Sequence, residues 1–186
     1  MTNSNFIFVK DKILRKNLDI TFNHIVNLIP LTEAENYDEE AKSLFRKTAI
    51  IHTASIVEAL LFYYLNSIFS DKEVDEYYAQ WELKNKKVLY HVSGNHEIVA
   101  GDYKKVTKKG RKEKLNLAQI AGFLKDKSKI SEKLFEEIDE IRILRNKQHL
   151  NTQTEVKEYS KADLETAFSI ARNVKKFVKA RLNKSS

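Results

Sequence analysis

The chain has 186 residues, 33 Lys and Arg against 26 Asp and Glu, a net charge of +7, four glycines, one proline and no cysteine. Without cysteine there is no disulfide framework, zinc ribbon or thiol nucleophile. Glycine and proline are far below their usual ~7% and ~5%, which argues against an all-β sandwich or barrel.

The length suits one domain, 1–186, with a core large enough to need no staples. The composition predicts a mostly helical, cytoplasmic protein. Its positive charge permits a phosphate-rich partner without requiring one. The first ten residues lack the basic start and long apolar run of a secretory signal.

Ile13, Leu14, Leu18, Phe22, Ile25 and Val26 recur at helical spacing, so a helix is expected between Phe8 and Leu28, ended by Pro30. A second helix is expected from the Asn36–Asp38 caps to about Phe69. From Thr48 to Ser70 its only formal charge is Glu58. A membrane helix would need about 20 mostly apolar residues and would place this acid at its centre at a cost of about 2.5–3.5 kcal/mol. The expected state is a central soluble helix buried on most sides, with no membrane partner and with Glu58 left to be explained.

Ser70 to Leu83 reads as a shorter capped helix. Val88–Val92 and Ile98–Val106 flank Ser93-Gly94-Asn95, a hairpin signal. Lys104 to Lys114 then holds seven basic residues and one acid. This run is either a solvated loop or a phosphate-contact patch of Lys104, Lys105, Lys108, Lys109 and Arg111. Three more helices follow: Leu115–Leu124, Glu132–Leu150 capped by Ser131, and one opened by Ser160 with Asp163 completing the cap.

The helix from Glu132 carries the chemistry. Leu134, Ile138, Ile141, Arg145 and His149 form one stripe, apolar first and then ionisable. Arg142, Arg145 and His149 lie within about 60° of one another at ~100° per residue. A core-facing arginine needs a partner, and Glu58 is the natural one. Guanidinium forks match phosphate, and histidine moves protons near neutral pH. Together they suit RNA cleavage without a cofactor or metal, in which the ribose 2′-hydroxyl attacks its own phosphate. An Arg–His pair four residues apart is also an ordinary surface pair or packed polar network.

His24, His52, His91 and His96 have no neighbours at metal-ligand spacing and read as structural. Tyr63, Tyr64, Tyr77, Tyr78 and Trp81 read as core or interface more readily than as base-stacking groups.

The run Ile141-Arg-Ile-Leu-Arg-Asn-Lys-Gln-His-Leu150 resembles the motif of HEPN (higher eukaryotes and prokaryotes nucleotide-binding) domains, an arginine followed after four to six residues by a histidine, often with a polar residue after the arginine. Thr53–Leu61, with Glu58, is similar to the earlier acidic helix of bacterial members. The resemblance spans roughly residues 41–179. It implies an all-α, antiparallel HEPN-like helical bundle, with a small β-hairpin and basic-loop insertion at about 84–114. It implies His149 as the catalytic histidine and leaves the arginine open. Arg142 has the spacing, with Ile143 after it; Arg145 has Asn146 after it but only three residues before His149. Arg145 with Asn146 is favoured, with Arg142 as a second cation.

The implied function is a metal-independent endoribonuclease of toxin, phage-defence or RNA-processing type, acting on RNA as a homodimer, with an antitoxin protein as a further partner. The alternative is a catalytically inactive module of the same fold that binds a protein or RNA.

Overall fold

The computed structural model describes residues 4–107, 110, 112–147 and 158–183. Two compact units emerge, Met1–Ser67 with Asn116–Ser186, and Ile68–Leu115. The second opens upstream of the expected 84–114 insertion.

In the first unit, α1 (Lys12–Leu28) starts at Asp11, whose carboxylate accepts from the Ile13 and Leu14 amides. The cap therefore sits later than the expected start at Phe8. The preceding residues are used in the core instead, with Phe6 and Val9 buried. A single 3-10 turn, Ile29–Thr32, follows with Pro30 in its first positions.

Helix α2 (Glu39–Ile68) is the centre of this unit. Ala49, Ile50, Ala54, Val57, Leu60, Leu61 and Leu65 are fully buried. By length and composition α2 could cross a membrane, and 56% of its most apolar window is buried inside the protein. Around it come α4 (Leu117–Asp126), α5 (Glu132–Asn146) and α6 (Lys161–Asn183). α4 packs on α5, and α5 on α6.

Side-chain contacts fix the directions. Lys10 donates its amide to Tyr63 Oη and His24 stacks on His52, so α1 runs against α2. Tyr159 meets Ser43 and Tyr64 meets Phe177, so α6 runs with α2. Asn173 meets Glu137 and Lys147 meets Asp163, so α5 runs against both.

One cation closes this arrangement. Arg46 is 6% exposed. Its guanidinium donates to the carbonyls of Thr32 (3.0 Å) and Tyr159 (3.3 Å) and pairs with Glu39 and, at 3.6 Å, Glu33. The Tyr159 amide donates to Ser43 Oγ on the same helix at 2.7 Å. The turn after α1 and the approach to α6 are thus pinned to α2 at one point.

The second unit holds α3 (Asp71–Tyr77), with a capping box between Ser70 and Glu73, and a two-stranded antiparallel sheet of β1 (Gln80–Ser93) and β2 (His96–Val106). Lys112, in the 3-10 turn Lys112–Lys114, donates to the Phe69 carbonyl at 2.6 Å and pairs with Asp71.

The sheet corrects the expected fold class. The protein is 65% helical but mixed, with six helices and a β-hairpin among the described residues, and not all-α. A helical bundle with a hairpin insertion is consistent with it. The helix expected to Leu83 ends at Tyr77, and β1 begins at Gln80. Gln80–Lys84 pair in unbroken register with Asp102–Val106, so the ladder captures residues whose local spacing looked helical. The register then slips three times, between Lys84 and Lys87, Val88 and Tyr90, and His91 and Ser93. The slips break the two-residue alternation that would have revealed a 14-residue strand.

Replacing Arg46 by Ala leaves two buried carbonyls without donors, at about 1–3 kcal/mol each. We expect the variant to lose about 3 kcal/mol. Urea unfolding would show this as a lower midpoint with an unchanged slope.

Candidate active site

α5 begins at Ser131, whose hydroxyl accepts from the Leu134 amide. Leu134, Ile138 and Ile141 are buried, as is Leu144 beside them. The stripe therefore faces the core, and it carries Arg145 to the core's edge. There Arg145 Nη1 donates to Glu58 Oε2 at 2.5 Å, both side chains a little over one-quarter exposed. The expected contact between the lone acid of the apolar helix and the arginine of α5 is formed. Each satisfies the other's desolvation where neither could be buried alone.

Arg142, expected as a second cation, donates through Nε to Asp139 one turn earlier, at 2.6 Å. Asn146 closes the helix, half-buried. Lys147 caps it and reaches Asp163 at 3.2 Å. His149 lies outside the described residues, as do Lys108, Lys109 and Arg111 of the basic run. Lys104 and Lys105 are consecutive on β2, so they point to opposite faces of the sheet.

Two anchors hold the described residues that flank 148–157. Lys147 with Asp163 is one; Tyr159 on Ser43 and Arg46 is the other. Asp163 also accepts from the Ser160 amide and hydroxyl, while its own amide donates to Ser160 Oγ, the expected cap. Burial pushes the Asp163 carboxyl upward, but Ser160 and Lys147 outweigh it and hold the group below its ordinary range.

Sequence reasoning missed three features. Arg46 was legible in principle, standing four before Ile50 and eleven before Val57 on the buried line of α2. The rings of His24 and His52 meet edge to face with centroids 4.8 Å apart, a pairing of distant helices that no local pattern encodes. A cavity of about 340 Å³, lined by Phe6, Phe22, Ile25, Ile56, Phe168 and Lys175 among others, opens between α1, α2 and α6. Among the described residues, no three histidine, aspartate or glutamate side chains converge as metal ligands.

Comparisons with protein-family models, with curated proteins and with solved structures gave no match.

Two outcomes follow from this geometry. A double-mutant cycle of Glu58→Ala and Arg145→Ala should give a coupling of about 1 kcal/mol, at the upper end for exposed pairs, read from urea midpoints. Burial, and secondarily His24, hold the His52 pKa below its ordinary value. The folded state therefore binds fewer protons at this site than the unfolded chain. The associated stability is complete above the ordinary histidine value and is lost as pH falls through the lowered one. His52→Gln should flatten the pH dependence of the midpoint below neutrality.

Proposed function

We propose that the chain is a metal-independent endoribonuclease of HEPN type that works as a homodimer on RNA. The Glu58–Arg145 pair carries this reading. It joins the acid of the α2 segment and the arginine of the α5 motif, the two segments on which the family resemblance rests. Glu58 engages only one terminal nitrogen of Arg145. The other can turn to a phosphate without breaking the pair.

In this reaction the ribose 2′-oxygen attacks the adjacent phosphorus. The 2′-O–P bond forms, the P–O5′ bond breaks, and a 2′,3′-cyclic phosphate and a 5′-hydroxyl result. His149 handles proton transfer between the 2′-hydroxyl and the leaving oxygen. Arg145 stabilises charge developing on the phosphate, Arg142 adds a second cation, Asn146 orients the group, and Glu58 holds Arg145 in place. The family resemblance would bring the motifs of two copies into one cleft and would supply an antitoxin partner.

One observation favours the second reading, a silent helical module that binds RNA or protein. Both arginines already have carboxylates, Glu58 and Asp139, as a fixed packing network would require.

RNA cleavage in EDTA separates the two. We expect 2′,3′-cyclic phosphate ends, with the rate falling by about a hundredfold or more in His149→Ala and comparably in Arg145→Ala. Sedimentation should show that the dimer persists in both. Cleavage unchanged in His149→Ala, or absent from the wild type, would overturn the ribonuclease reading; in the second case the silent module stands.

A further inference from the structure

The base of the hairpin has two chemically different faces. From Gln80↔Val106 to Lys84↔Asp102 the strands pair without a slip, so alternate residues sort cleanly to one side or the other. On one face Glu82 stands opposite Lys104 and Lys84 opposite Asp102. These cross-strand opposite charges make an ordinary solvated surface. On the other face Trp81 stands opposite Lys105, and Leu83 opposite Tyr103. There is no carboxylate on this stretch of the face.

Trp81 is 65% exposed and Tyr103 68%. They are diagonal neighbours across the ladder, a placement that puts rings about 7–8 Å apart at the backbone. Leu83 leans the other way, over Gly101, where a Cβ would lie 2.8 Å from Leu83 Cδ1 and 2.7 Å from the Lys84 carbonyl. A side chain at 101 would therefore force Leu83 and the backbone at Lys84 to shift. Among the described residues, Trp81 and Tyr103 contact no other ring, and Lys105 pairs with no acid.

Two open aromatic rings beside an unpaired cation match the chemistry of an unstacked nucleobase strand. Each base offers a π-face to a ring, and the phosphate between them offers a charge to the lysine. A duplex offers neither ring a free base face. We propose that this face of the hairpin is a binding platform for single-stranded nucleic acid, with bases stacked on Trp81 and Tyr103 and a phosphate at Lys105. The choice of nucleic acid over a protein ligand rests in part on the ribonuclease reading; the geometry of the platform does not.

Trp81 is the only tryptophan, so its emission reports on this face alone. The probe is a mixed-sequence 2′-O-methyl oligonucleotide of about twelve residues, which lacks the attacking hydroxyl and cannot be cleaved by the proposed route. Single-stranded DNA of the same sequence shows whether the 2′ position is read. The expected result is quenching of Trp81 by one or both single strands and not by the duplex. With a labelled probe, Trp81→Ala and Tyr103→Ala should each weaken binding roughly fivefold or more, while Trp81→Phe keeps most of it. Lys105→Ala should reduce the salt slope by about one. Circular dichroism of the variants confirms that the hairpin still folds.

Absent quenching, equal quenching by duplex, or wild-type affinity in Tyr103→Ala overturns the proposal. So does self-association that disappears in Trp81→Ala without any nucleic-acid binding, which would make the face a contact between copies. Binding without RNA cleavage overturns only the ribonuclease reading, and cleavage without quenching overturns only this one.

Discussion

Arg46 holds together parts of the chain that local structure cannot. Helix α2 is long and apolar and would form on its own preferences, but nothing in those preferences says where the turn after α1 or the lead into α6 should lie. The guanidinium says so, because its donors are fixed in one plane and its two terminal nitrogens point to acceptors on three separate stretches of chain. It finds them at Thr32, Tyr159, Glu39 and Glu33. The partner carboxylates remain about half exposed, so the charge is neutralised without burying a second ion. That lessens the desolvation cost that makes buried ion pairs weak contributors. Position, more than energy, is what this residue supplies. It fixes the position of Tyr159, just ahead of α6.

Legibility in the sequence followed the range of the interaction. Ser70, Ser131 and Ser160 open their helices as read, because a cap needs only residues three positions away. Gly94 and Asn95 turn the hairpin as read. The pairing of Glu58 with Arg145 is long-range, yet it was visible, because each is a charge out of place in its own helical pattern. A charge in an apolar stripe implies a second one elsewhere. Arg46 sits in a stretch dense with charges and gave no such contrast, and two of its acceptors are backbone carbonyls, which carry no sequence signature. The His24–His52 contact had no signature either.

The hairpin shows the opposite failure. Trp81 was read with its neighbours as core or interface at helical spacing, and it stands exposed on a strand. The basic run reads either as a solvated loop or as one phosphate-contact patch, and its first two lysines, on β2, face opposite ways. Composition found the hairpin turn but not the start of β1, and strand geometry decides which side chains act together. Charge summed along a sequence is therefore a poor guide to charge summed over a surface. The net +7 says little about where an anion would settle; the placement of Lys105 beside two rings, with Lys104 matched to Glu82 behind it, says more.

The three register slips have a further consequence. A sheet of two strands is all edge: each strand has one side of its backbone unpaired, and here large apolar side chains are exposed along both. Such an edge is a template for adding further strands and growing a fibre. An incoming straight strand can follow this edge only while the spacing of donors and acceptors stays regular. On β1, which carries the extra residue at all three slips, Gln80–Lys84 is the longest such run, five residues. The bulges thus interrupt the β1 edge as a template for a further strand and leave β2 as the regular one.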